Sequence, residues 1–242
     1  MTKKTLRNFI ITTSLFAVFI AFTLVVSFVD VRPVGQGGVE VGLATINQWF
    51  FNLLGVVDVL DLITDLLAVF AFGIAGSFAI WGMVQLFNRK SIKKVDKELK
   101  IMAIIYGIVV CCFFFFEFVI INCRPILVDG QAEASYPSTH SLILCVIVGC
   151  AMVLISQKEL CKKLKITLLS VGGVVVVGSV VCRLLSGQHW LTDIVGGVLL
   201  SLVIVMLYYS CVTYEKKKHV EKDTMQDIVQ SAESMENKEA QE

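Results

Sequence analysis

Only three of the 242 residues are proline, and charged side chains make up just 17% of the chain. So few breakers leave room for long uninterrupted helices, because proline removes a backbone donor and clashes with the preceding turn. Bulk charge of one sign is also missing: 21 Lys plus Arg stand against 20 Asp plus Glu, a net +1, which gives no electrostatic footprint for a nucleic-acid partner. The eight cysteines form no C-x-x-C pair, so neither a zinc cluster nor a small disulfide scaffold is indicated. Histidine is scarce as well, with three in the chain. What the sequence has instead is apolar surface, at 56% hydrophobic residues and a mean hydropathy of +0.79. That composition excludes an ordinary soluble domain and places the chain among membrane proteins.

Crossing a hydrocarbon core about 30 Å thick takes roughly 20 apolar residues in a helix. Six segments approach this: 9–29, 62–87, 101–121, 139–156, 166–185 and 191–209. The expected fold class is therefore all-α, a polytopic membrane helix bundle with six transmembrane helices. The first segment follows Lys3, Lys4 and Arg7 but is too long for a signal-peptide core, and no small-residue cleavage site follows it, so it reads as a retained span. Of the 21 basic residues, all but Arg32, Arg124 and Arg183 fall before the first span, after the even-numbered spans or in the tail. The positive-inside rule then puts both termini in the cytoplasm, and the loops bearing those three arginines outside. Two units are expected: residues 1–214 as the membrane domain, and residues 215–242, rich in Lys, Glu, Gln and Ser, as a disordered cytoplasmic tail. In the first outer loop, Leu43, Ile46, Phe50, Leu53 and Leu54 recur at helical spacing around Trp49. This fits a short helix lying in the membrane interface and equally one packed on the bundle.

By this topology His140, His189, Arg124, Arg183 and Asp193 gather on one membrane face. The set suits a phosphoryl group. Guanidinium forks match phosphate oxygens, and an imidazole can attack phosphorus or protonate a departing oxygen near neutral pH. His189 and Asp193 are four residues apart, so on a helix the carboxylate could hold one ring nitrogen protonated and free the other. The same spacing also suits an ordinary helix start. Ser138 or Thr139 would cap the fourth span, whose first free N–H groups offer an anion site beside His140, although a plain capped helix start would look the same.

Three stretches carry a family resemblance: Glu117-x6-Arg124-Pro125, then Pro137-Ser138-Thr139-His140, then Cys182-Arg183-x5-His189-x3-Asp193. Together they resemble the signature of the type-2 phosphatidic acid phosphatase superfamily, which includes undecaprenyl-diphosphate phosphatases. That pattern reads Lys-x6-Arg-Pro, Pro-Ser-Gly-His and Ser-Arg-x5-His-x3-Asp. The resemblance implies a metal-independent lipid phosphatase that needs no cofactor and works through a phosphohistidine. His189 would be the nucleophile oriented by Asp193, and His140 the acid and then the base. Arg124, Arg183, Ser138 and Thr139 would bind the substrate phosphate. The implied substrate is a membrane lipid phosphate, with undecaprenyl diphosphate favoured and phosphatidic acid or phosphatidylglycerol phosphate open, handled at the outer face of the cell membrane.

Three residues depart from the pattern: Thr139 for Gly, Cys182 for Ser and Glu117 for Lys. The last puts an anion where the family has a cation, which a nearby phosphate would feel as repulsion. The preferred expectation is that Glu117 pairs with Arg124 or Arg183 and modulates the site. An alternative is a catalytically silent member that binds lipid phosphate or a protein partner. A transporter fits less well, since the polar groups lie at one face and not midway through the bilayer. Asp58, Asp61 and Asp65 share one helical face and read as a wet helix start, with no metal site assigned. Cys123 and Cys182 each abut a motif arginine, but a disulfide between them is not expected.

Overall fold

A computed structural model describes residues 3–239. The chain folds into α1 (Lys3–Phe28), a hairpin of β1 (Arg32–Val34) and β2 (Val39–Val41), α2 (Ala44–Leu54), α3 (Asp58–Arg89), α4 (Lys97–Phe118), α5 (Thr139–Gln157), α6 (Lys162–Leu185) and α7 (Leu191–Glu239). Six of these helices are long and apolar enough to cross a membrane: α1, α3, α4, α5, α6 and α7 as far as Lys217. The six-helix expectation holds; most of the helices extend past their apolar runs at one or both ends, while α4 stops at Phe118, three residues short of the expected 121. The small hairpin was not expected. It turns through Gly35 and Gly38, both at positive φ, where glycine adopts the left-handed backbone without a Cβ penalty.

Sequence reading placed disorder from residue 215, whereas α7 continues as helix through Glu239, and residues 240–242 lie outside the described ones. Past Gly197 the chain contains no glycine or proline, and Lys, Glu, Gln, Met and Ala are all good helix formers. A helix already nucleated inside the bundle therefore meets nothing that would end it.

The centre is formed by α5 and α7. About half of each apolar window is buried (56% and 50%), against 11–22% for the other four spans. α1, α3, α4 and α6 pack around this pair. Val26, Met102, Ile105, Leu142, Val146, Tyr208 and Val212 make up much of the shared core. The outer surface is apolar as well, with Phe28, Val69, Phe87, Phe118 and Val174 largely exposed, as lipid contact demands. α5 and α7 approach closely because Gly197 has no side chain. A Cβ there would lie 2.8 Å from the Ser138 carbonyl oxygen.

The two ends of the bundle differ. One is knitted by basic residues: Arg89 pairs with Asp96, Lys97 with Glu215, and the Lys158 ammonium sits 5.5 Å from the Trp81 ring centre. At the other end the hairpin, α2 and the loops 119–138 and 186–190 close over the helix ends. Gln36 N–H donates to Pro125 O, Val57 N–H to Ser186 O, and Ser138 N–H to Asp193 O. α2 buries Ala44 and Asn47 while Ile46, Trp49 and Leu53 stay exposed on its other side. It therefore both packs on the bundle and offers an apolar face.

Candidate active site

His189 lies in the short loop between α6 and α7, 4% exposed. Its Nε2 is 3.2 Å from Arg183 Nη2. A guanidinium can only donate, so Nε2 carries the lone pair and the ring proton sits on Nδ1. That Nδ1 faces Asp193 Oδ2 at 3.6 Å, a charge contact longer than an ordinary hydrogen bond. Burial pulls the imidazole from its usual 6.5 down to about 4; the charges of Arg183 and Arg124 add to this, and Asp193 opposes it. At neutral pH the ring is therefore uncharged and a competent nucleophile.

Asp193 is fully buried. Its Oδ2 accepts from the Trp190 backbone N–H at 3.0 Å and its Oδ1 from Asn122 Nδ2 at 3.1 Å. The carboxylate reaches back over the first turn of α7 in the manner of a capping box and at the same time faces the ring of His189. Asn122 is itself held by the Gly42 N–H at 3.0 Å, and Thr192 accepts from Asn47 at 2.9 Å. These polar links tie α2 and the α4–α5 loop to the carboxylate. Neither asparagine was singled out from the sequence, because an isolated Asn carries no local signal of a partner far away in the chain.

Arg183, 2% exposed, donates through Nη1 to Asp61 and, at 3.2 Å, to Thr64 Oγ1. Arg124 Nε lies 3.4 Å from Glu133 Oε2. His140, in the first turn of α5, places Nε2 3.0 Å from Asp65 Oδ1. The charges of Arg124 and Arg183 act on both histidines, so the five side chains expected to converge form one electrostatic cluster. Three buried nitrogens in this region, Arg124 Nε, Arg183 Nε and His189 Nδ1, have no hydrogen-bond partner. Buried donors usually find an acceptor, and a phosphoryl oxygen is one the guanidiniums would fit.

Ser138 and Thr139 behave differently from each other. Ser138 is fully buried and caps α5, with Oγ 3.2 Å from Ser141 Oγ and 3.5 Å from Ser141 N. Thr139, partly buried, begins the helix beside His140. The expected pairing of Glu117 with an arginine is not formed. Glu117 is exposed in the last turn of α4, close to Pro137 and Thr139, and the arginines take Asp61 and Glu133 instead. Asp61 and Asp65 were legible only as a spacing. Their i, i+4 relation puts them on one face of α3, and packing α3 against α5 and α6 delivers that face to the site. All eight cysteines are free thiols, Cys123 and Cys182 included. Among the described residues no group of three or more His, Cys, Asp or Glu gathers to hold a metal ion.

The PAP2 superfamily model matches residues 118–217, the stretch that holds both arginines, both histidines and Asp193. The crystal structure of the first transmembrane PAP2 type phosphatidylglycerolphosphate phosphatase from Bacillus subtilis superposes with a TM-score of 0.61 at 19% identity, covering 85% of this chain and 96% of that one. No curated protein matches the chain by sequence.

Proposed function

We propose that this chain, whose residues 118–217 match the PAP2 superfamily, is an integral-membrane lipid phosphatase that needs no metal. The observation that carries the reading is the buried, uncharged His189, with its Nε2 lone pair turned to the Arg183 guanidinium and its Nδ1 to Asp193. A phosphoryl group between Nε2 and the guanidinium would be attacked and charge-stabilised at once. In the first half-reaction Nε2 forms a bond to phosphorus, the bond from phosphorus to the lipid oxygen breaks, and His140 gives that oxygen its proton. In the second, water attacks phosphorus, His140 takes the water's proton, and the N–P bond breaks. Arg124, Arg183 and the first-turn N–H groups of α5 hold the equatorial oxygens, the arginines through their unpartnered Nε atoms, with Asp61 remaining on Arg183 Nη1. Ser138 supports the phosphate loop as the α5 cap.

The charge distribution supports a site on the extracytoplasmic face of a membrane domain ending near residue 214, and an outward site suits undecaprenyl diphosphate over the other lipid phosphates. Phosphate release from a panel of lipid phosphates by purified protein in EDTA tests the proposal. Release should persist in EDTA and vanish in His189→Ala. Activity surviving that substitution removes the nucleophile, and loss on chelation removes the metal-free route. A second reading, a silent lipid-phosphate binder, is favoured by the carboxylates already on both arginines. It predicts binding of the same lipids with no release.

A further inference from the structure

α3 lies outside all three sequence motifs, yet two of its carboxylates enter the site. Asp61 is committed to Arg183, leaving Asp65 as the carboxylate in contact with His140, at 3.0 Å from Nε2. His140 also faces the charges of Arg183 from α6, Arg124 from the α4–α5 loop and Asp61 from α3. A proton donor for the leaving oxygen must be an imidazolium, and a carboxylate is the neighbour that favours one. Glu117, the acid at the motif position, does not reach this ring. Among the described residues the polar contact of the His140 ring runs through Nε2 to Asp65, so Nδ1 is the nitrogen left to meet substrate.

We propose, on the basis of the phosphatase reading above, that Asp65 is a positioning residue for His140, holding Nε2–H so that Nδ1–H is presented to the departing lipid oxygen. The Nδ1 proton passes to that oxygen as the P–O bond breaks. The ring is left neutral with Nε2–H still on Asp65, and Nδ1 then accepts a proton from the attacking water. The site thus contains two carboxylate–histidine pairs of opposite purpose. Asp193 serves the buried nucleophile from α7, and Asp65 serves the acid from α3. One helical turn of α3 sets both the Asp61–Arg183 and Asp65–His140 contacts, so this helix aligns phosphate binding with proton transfer.

The test compares wild type, Asp65→Asn, Asp65→Glu and His140→Asn as full-length purified protein on two substrates. Phosphatidic acid has an alkoxide leaving group that needs a proton, whereas p-nitrophenyl phosphate has one that scarcely does. Asp65→Asn should lower kcat on phosphatidic acid by about 10- to 100-fold and on p-nitrophenyl phosphate by less than about 3-fold. It should move the alkaline limb of the kcat profile to lower pH by about one unit, because support for the protonated ring is lost. Asp65→Glu should recover most of both effects, and the Asp65→Asn, His140→Asn double variant should be no worse than His140→Asn alone. Equal losses on the two substrates, or an unmoved alkaline limb, overturn the proposal while leaving the phosphatase reading intact. A wild type that releases phosphate from neither substrate and from no other lipid phosphate, undecaprenyl diphosphate included, overturns both.

Discussion

His189 illustrates how burial sets chemistry one side chain at a time. With its pKa held near 4 by desolvation, the ring would need no deprotonation step before the proposed attack at neutral pH. The acid limb of the kcat/KM profile is therefore expected only as pH drops through about 4. A histidine at its ordinary value would bend the profile near 6.5, which a pH-rate series distinguishes. The same shift links to stability. Between about 6.5 and 4 the unfolded chain binds a proton at His189 that the folded chain does not, so the folded state loses stability as pH falls through that window. Asp193 should matter to rate more than to binding. Asp193→Asn keeps the shape but removes the charge that favours Nδ1–H, with an expected kcat loss on the order of 10⁴-fold and a small change in KM. Steady-state kinetics on a lipid phosphate would check this.

At the scale of elements, the contact between α5 and α7 aligns the two histidines. Ser138 N–H bonds the Asp193 carbonyl, and the absence of a side chain at Gly197 lets the helices meet over that bond. Gly197→Ala would force a methyl against the Ser138 carbonyl, costing about 1–3 kcal/mol as overpacking and tilting His140 away from His189. The expected result is a lower melting temperature in detergent together with a lower kcat. α2 makes a separate prediction through its exposed Ile46, Trp49 and Leu53. In a Trp81→Phe background, lipids brominated near the headgroup should quench Trp49 fluorescence strongly and leave the buried Trp190 bright, as measured in proteoliposomes.

For the molecule as a whole, the division between its ends governs where the chemistry happens. Basic residues crowd the end of the bundle away from the site, and the proposed topology puts that end in the cytoplasm, the side that anionic lipid headgroups and the insertion machinery favour for positive charge. Cys161, exposed between α5 and α6, reports that end, whereas Cys123 lies beside Arg124 at the other. A variant retaining only Cys161 should resist a membrane-impermeant thiol reagent in right-side-out vesicles and react after permeabilisation. Labelling of Cys161 in intact vesicles would invert the topology and place the phosphate site inside.

The six spans, their order and the convergence of His140, His189, Arg124, Arg183 and Asp193 at one end were legible in the chain alone. Hydrophobic length and charge placement are one-dimensional quantities, and a bilayer converts them directly into depth and side. The helical extension of α7 went unseen because polar composition marks a solvated segment, while its conformation follows from a helix nucleated elsewhere. The partners of the arginines were decided only in three dimensions. Glu117 sits in the motif yet pairs with neither arginine, while Asp61 and Asp65, more than 50 residues upstream, reach Arg183 and His140 because α3 packs against α5 and α6. Which acid meets which base depends on helix rotation and lateral neighbours, and those are set by packing between helices that the linear order does not encode.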